Sequence, residues 1–281
     1  MRKGLEYSFL SVIRAVTKDT SKTMITKEEI TANWLPRYTR RPLQDFSPYI
    51  LLTNFQNYVE MFAEMFSVEV VGKGSNMPSA SAGGVTIINF GMGSPNAATI
   101  MDLLSVIKPK ACLFLGKCGG ISHKNHIGDL ILPIAAIRGE GTSDDYLPPV
   151  VPALPAFMLQ RAVSTAIRNH GWDYWTGTVY TTNRRVWEYD TSFREYLVKT
   201  RAMAVDMETA TLFTCGFANH IPTGALLLVS DQPMLPEGVK TEKSDNIVTR
   251  NYVKGHLEIG VEALRNIIED NQTVRHLKYD W

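Results

Sequence analysis

The chain is short of cysteine, of charge imbalance and of long apolar runs. It has three cysteines in 281 residues, Cys112, Cys118 and Cys215, and no Cys-x-x-Cys pair. That pattern argues against a disulfide framework or a zinc knuckle and fits a reduced compartment. Lys plus Arg number 29 against 28 for Asp plus Glu, a net charge of +1. Such a balance argues against a general electrostatic grip on nucleic acid. No apolar stretch approaches the roughly 20 residues of a membrane helix. The basic start is interrupted by Glu6, Ser8 and Ser11, and it does not read as a signal peptide. His123 and His126 lie three apart without nearby Cys or paired acids, so they read as loop histidines rather than metal ligands. The expectation is a cytoplasmic protein with no metal, no cofactor, and neither nucleic acid nor membrane as partner.

What is present points to a packed core. Hydrophobic residues make up 44% of the chain and charged residues 20%, which excludes disorder as the main theme. Residues 5–16 have helical apolar spacing, and Thr26 with Glu29 forms a capping box opening a second short helix. Residues 34–42 are basic, aromatic and broken by two prolines, and read as a solvated connector or an anion-binding loop. Beyond residue 48, strands and helices alternate. Strands are expected at 49–53, 85–90, 111–115, 129–134, 177–181 and 224–229, and helices at 55–66, 96–107, 155–170, 207–218 and 246–269. Several strands are continuously apolar, as in a sheet covered on both faces. The fold class is therefore α/β, with helices on both faces of a sheet. Residues 1–45 are expected to be an N-terminal helical extension and 46–281 one domain.

In open α/β sheets, ligands gather at the carboxyl ends of strands. Four such ends carry unusual residues. Gly91 and Gly93 in GMGSPNA (91–97) are either a tight turn or a backbone site for a small anion or sugar hydroxyls. GKCGGI (116–121), with Lys117, Cys118 and Gly119, is either close packing or a flat wall for a planar heterocycle. In AVDMETATLF (204–213), Glu208 is either a helix cap or an acceptor for vicinal sugar hydroxyls. In LLLVSDQP (226–233), Asp231 follows an apolar strand. Desolvation there favours the protonated acid and suits it to general acid catalysis, unless it is only a turn aspartate before proline.

Together these motifs resemble the nucleoside phosphorylase and nucleosidase superfamily and, within it, the AMP nucleosidase family. PRYT (36–39), YILLTNFQNYV (49–59), LPPV (147–150), GTVYTTNRRVW (177–187) and GHLEIG (255–260) extend the resemblance from about residue 34 to 270. It implies a three-layer α/β/α sandwich around a central mixed sheet, usually assembled into hexamers. It also implies cleavage of the N-glycosidic bond of a purine nucleotide, AMP, to adenine and ribose 5-phosphate, as in purine salvage. Hexameric purine phosphorylases carry an arginine for the attacking phosphate where this chain has Phe114, and an early phosphate loop where it has Thr53, Asn54 and Phe55. These departures favour water over phosphate, and the alternatives are a purine nucleoside phosphorylase or a nucleosidase for unphosphorylated nucleosides.

The resemblance implies that Asp231 protonates adenine N7, that Glu208 binds the ribose hydroxyls, and that Met207 packs under the sugar. Lys117, Cys118 and Gly119 line the purine, and Lys240 orients Asp231 or the base. Candidates for the 5′-phosphate are Arg37, Arg40, Arg41, Arg138, Arg184 and Arg185, with Arg37 and Arg185 foremost because they lie in the most similar stretches. A neighbouring subunit is expected to complete the site.

Overall fold

The computed structural model describes residues 25–270. The expected helix at 5–16 lies outside the described residues. One mixed eight-stranded sheet organises the chain. Its strands are β1 (Tyr49–Thr53), β2 (Ser79–Ala82), β3 (Val85–Asn89), β4 (Ala111–Gly120), β5 (Leu130–Gly139), β6 (Tyr174–Thr182), β7 (Ala204–Asp206) and β8 (Thr223–Asp231). The order across the sheet is β2-β3-β1-β4-β7-β6-β5-β8, and β8 also pairs with β4. The strands from β4 to β8 therefore close on themselves.

Period-two alternation explains the layers. In β1, β4 and β8, residues Leu51, Leu113, Leu115, Leu226 and Leu228 face one side. They pack on α2 (Gln56–Phe66), α4 (Phe157–Asn169) and α8 (Val253–Glu269). Ile50, Leu52, Cys112, Phe114, Leu227 and Val229 face the other side and meet α3 (Ser94–Leu104) and α6 (Thr209–Ala218). Helices thus cover both faces of a mixed sheet, as expected. A smaller cluster of Tyr180, Trp187, Leu197 and Val205 seats α5 (Thr191–Thr200) beside β6 and β7. Among the described residues no helix is long and apolar enough to cross a membrane.

The structure moves several boundaries. The helix at the start of the described chain, α1 (Lys27–Thr39), opens on the Thr26–Glu29 capping box and runs through Pro36 into the stretch read as a connector. Thr31, Leu35 and Thr39, one turn apart, form its buried face, and Leu35 joins the core. Strand β4 does not end at Leu115 but continues to Gly120. Pairing with β8 and, at Gly119 and Gly120, with β7 supplies the ladder bonds that a glycine run lacks the propensity to hold alone. The final helix is two, α7 (Glu242–Asn251) and α8. Tyr252 departs from helical geometry at φ −125°, and its ring packs where Gly128 leaves room for it.

Candidate functional site

The carboxyl ends of β1, β4, β7 and β8 open into one pocket. Asn54, Phe55, Met92, Lys117, Cys118, Gly119, Val205 to Glu208, Ser230, Asp231 and Lys240 line it. Thr182, Arg184, Arg185, Trp187 and Glu188, which follow β6, close another wall.

Asp231 ends β8, opposite Gly119 across a register shift in β4. A Cβ on Gly119 would stand 3.3 Å from Asp231 Oδ2 and 2.9 Å from Pro233 Cγ, so only glycine leaves this edge open. Ser230 Oγ donates to Asp231 Oδ1 at 2.6 Å. Burial raises the Asp231 pKa, and the Ser230 bond and the charges of Lys240 and Arg185 offset part of that rise, while Glu188 adds to it. The desolvating strand expected from the sequence is present, since Thr223 to Ser230 are all buried.

Glu208 stands between β7 and α6 and is 2% exposed. Its Oε1 accepts the N–H of Gly93 at 2.7 Å. Gly93 has φ 92°, where a glycine is at home, so the turn can aim its amide at the carboxylate. Burial, reinforced by the charge of Asp206, pushes the Glu208 pKa up to about 8, against bonds from Gly93, Asn54 and Met207. Asp206 is buried too and accepts from Thr181 Oγ1 at 2.7 Å, Thr209 N at 2.8 Å, the Thr209 hydroxyl and Glu208 N. Burial raises its pKa, and the threonine bonds pull it back. Asp206 is therefore the internal brace and Glu208 the carboxyl beside the opening. Ser94 Oγ donates to the Met207 carbonyl at 2.7 Å, which fixes the segment between them. Asn54 Oδ1 is buried without a hydrogen-bond partner.

The basic residues divide. Lys117 Nζ bonds Asp245 at 2.8 Å and Thr249 at 3.1 Å and lies over the Phe55 ring. Lys240 reaches the same aspartate at 2.9 Å. Arg184 bonds Asp190 at 2.9 Å, and Arg185 lies 3.7 Å from Glu188 and is half exposed. The remaining arginines do not line the pocket. Arg37 projects from the exposed side of α1, 3.5 Å from Asn33, because the helix continues through this segment. Arg40 caps α1 in a left-handed conformation. Arg41 is buried against Ser79 and the Asp45 carbonyl. Arg138 ties down the carbonyls of Leu147, Pro148 and Val151. Gly91 and Gly93 also stay out of the wall. They shape the turn that presents Met92 and braces Glu208. Phe114 is fully buried with its ring 5.7 Å from that of Phe90, so no charged partner stands there.

Sequence reasoning gave no site role to Trp187, Glu188 or Asp245. Trp187 and Glu188 end or follow GTVYTTNRRVW, so a signal existed. Asp245 lies in a polar stretch with no local mark.

The sheet thus closes on itself and brings Glu208 and Asp231 into one pocket at the ends of its strands. The Phosphorylase superfamily matches residues 48–269, and the chain belongs to it. It is similar to AMP nucleosidase of Escherichia coli K12, at 31% identity over 277 residues covering 82% of this chain and 57% of that protein, so it spans little more than half of that relative's length. The crystal structure of AMP nucleosidase from Bacteroides thetaiotaomicron VPI-5482 is 61% identical, with a TM-score of 0.78 over 88% of this chain and 100% of that one. Uridine phosphorylase from Vibrio fischeri ES114 shares the fold at 23% identity and a TM-score of 0.69, covering 81% and 93%.

Proposed function

We propose that this protein hydrolyses the N-glycosidic bond of AMP, releasing adenine and ribose 5-phosphate. The observation that carries the reading is the meeting of Asp231 and Glu208 in one pocket, each with its pKa raised by burial. The similarity to proteins named AMP nucleosidase supports the choice of substrate. Phe114, packed in the core, supports water over phosphate as nucleophile.

Cleavage leaves positive charge on the ribose and negative charge on the base. A protonated Asp231 gives its proton to adenine N7, so that a neutral base departs. Positioned general acids contribute typically 10²–10⁴-fold. Glu208 accepts hydrogen bonds from the 2′- and 3′-hydroxyls. In its ionised form it also steadies the cationic sugar in a site from which water is largely excluded. Asn54, which lines the pocket and bonds Glu208, holds the attacking water in this reading. The water oxygen goes to C1′, and the proton it sheds replaces the one Asp231 gave up. Met207 packs under the sugar, while Cys118 and Gly119 border the purine.

Arg184 and Arg185 are the pocket's candidates for the 5′-phosphate. Arg37 would serve only from the α1 of a neighbouring copy, which fits a homohexamer with shared sites. We take residues 46–281 as the catalytic domain and residues 1–45 as the extension, and we place the enzyme in purine salvage in the cytoplasm. The test is adenine release from AMP, adenosine and methylthioadenosine, with and without phosphate. Preference for adenosine over AMP refutes the nucleotide reading, and strict dependence on phosphate refutes hydrolysis.

A further inference from the structure

The lysine corner of the pocket has more structure than purine contact requires. Lys117 has a side chain only 2% exposed, and its ammonium lies 4.6 Å from the Phe55 ring centre. Lys240 lies 5.6 Å from the same ring. Both ammonium groups meet at one atom, Asp245 Oδ1, at 2.8 and 2.9 Å. The corner adjoins both acids of the site. Asn54, next in the chain to Phe55, bonds Glu208, and Lys240 is near enough for its charge to act on Asp231.

Two cations beside a glycosidic-bond site are what an attacking phosphate would use, and the relatives of this chain include phosphorylases. Here the chain supplies its own anion between them. Asp245 cannot easily be displaced, because it sits in the first turn of α7, where a negative charge suits the helix dipole. The Thr241–Ser244 box fixes that turn, and Thr249, one turn on, binds Lys117 as well. A phosphate entering this corner would have to break two charge-assisted bonds or lie against a carboxylate of like sign.

We propose that Asp245 is a built-in counter-anion that fills the seat between Lys117 and Lys240, excludes free phosphate from it, and so selects water over phosphate as the nucleophile. The proposal rests on the hydrolytic reading above. Burial works to raise the Asp245 pKa, but its bonds to Lys117 and Lys240 outweigh it and hold the group below the usual carboxylate value, ionised as the role requires.

The test is calorimetric titration of the substrate-free protein with inorganic phosphate, on the acid side of neutrality so that Lys117, whose pKa burial lowers, stays protonated. Asp245→Asn keeps the shape and removes the charge. It should bind phosphate roughly 10- to 100-fold more tightly than the native protein. Arg184 and Arg185 are present in both proteins, so any phosphate they hold cancels in the ratio. The double variant Lys117→Met/Asp245→Asn should lose most of the gain. Equal phosphate affinity in native protein and Asp245→Asn overturns the proposal, as does a gain that survives loss of Lys117. A second measurement needs no variant. Native enzyme cleaving AMP in phosphate buffer should yield ribose 5-phosphate alone, and ribose 1,5-bisphosphate among the products overturns the proposal. Absence of adenine release from AMP in any buffer instead defeats the hydrolytic reading and leaves the titration to stand on its own.

Discussion

Removing the charge of Asp206 should shift the pH profile of the enzyme. Asp206 and Glu208 are both buried, and the charge of Asp206 helps to push Glu208 up to about 8. Four donated bonds favour ionised Asp206, so Glu208 is the member of the pair that holds a proton near neutrality. Two like unit charges at an effective dielectric of about 20 repel by about 4 kcal/mol at roughly 4 Å and by less as they separate, enough for a shift of roughly one to two pKa units. Burial is the larger cause and survives the substitution. Asp206→Asn should therefore lower the Glu208 pKa by roughly one to two units without restoring an ordinary glutamate.

The assay is kcat/KM for AMP against pH, which reports groups of the free enzyme. If the active form needs Glu208 ionised and Asp231 protonated, the limb of the native profile that Glu208 sets lies near 8, and the variant's limb moves toward neutrality. The substitution exchanges one acceptor for a donor. The asparagine oxygen can still serve Thr209 and Glu208 N–H while its amide turns to Thr181, at a cost of about 1–3 kcal/mol that a thermal melt would register. A limb near 8 that stays in place in a folded Asp206→Asn protein refutes the coupling, and with it the assignment of Glu208 as the ionising group.

Asp231→Asn should fold normally and lose about two to four orders of magnitude in kcat on AMP, since shape is kept and the donated proton is gone; near-native turnover would remove Asp231 as the acid. Arg185→Ala and Arg184→Ala should each lower kcat/KM for AMP by roughly 10- to 150-fold while sparing adenosine, as expected from losing a charge-assisted bond of about 1.5–3 kcal/mol, and equal loss on both substrates would mean general damage. His256 is fully buried, bonded to Tyr58 and the Leu226 carbonyl, and burial lowers its pKa to about 3. The unfolded chain binds a proton there near 6.5 and the folded one does not. Stability should thus fall as pH drops from about 6.5 toward 3, by about 5 kcal/mol in all. Urea melts across that range check this, and a pH-independent midpoint would contradict it.

Much of the scaffold was legible because its causes are local. Five consecutive apolar residues before Ser230, bounded by Gly224 and Pro233, fit a buried strand, and the Thr26–Glu29 pair marks a helix start by its own hydrogen bonds. What was not legible depends on partners distant in sequence. The run Gly116 to Gly120 has no strand propensity, and it is a strand because β7 and β8 flank it. Tyr252 interrupts a continuous helical pattern because its ring packs on Gly128, 124 positions earlier. Ser79–Ala82 is too short and too small-sided to announce itself, and it is held by its pairing with β3 and a bridge from Ser79 to Val71.

The same division runs through the site. Asp231 was readable as an acid of raised pKa because the desolvating residues immediately precede it. Glu208 stood out as a candidate from its motif, but its pKa near 8 was not readable, since burial and the brace from Gly93 come from other elements. The arginines show the limit more sharply. Six had the right chemistry, and the sequence ranked Arg37 with Arg185. Arg41 and Arg138 prove to be structural, held by a serine, backbone carbonyls and an aspartate. Arg37 points outward from α1. Guanidinium groups satisfy carbonyls as readily as phosphates, so side-chain chemistry alone cannot separate scaffold from site. Lys117 and Asp245 make the same point for a pair, as 128 residues separate them and only the folded sheet brings them within 2.8 Å.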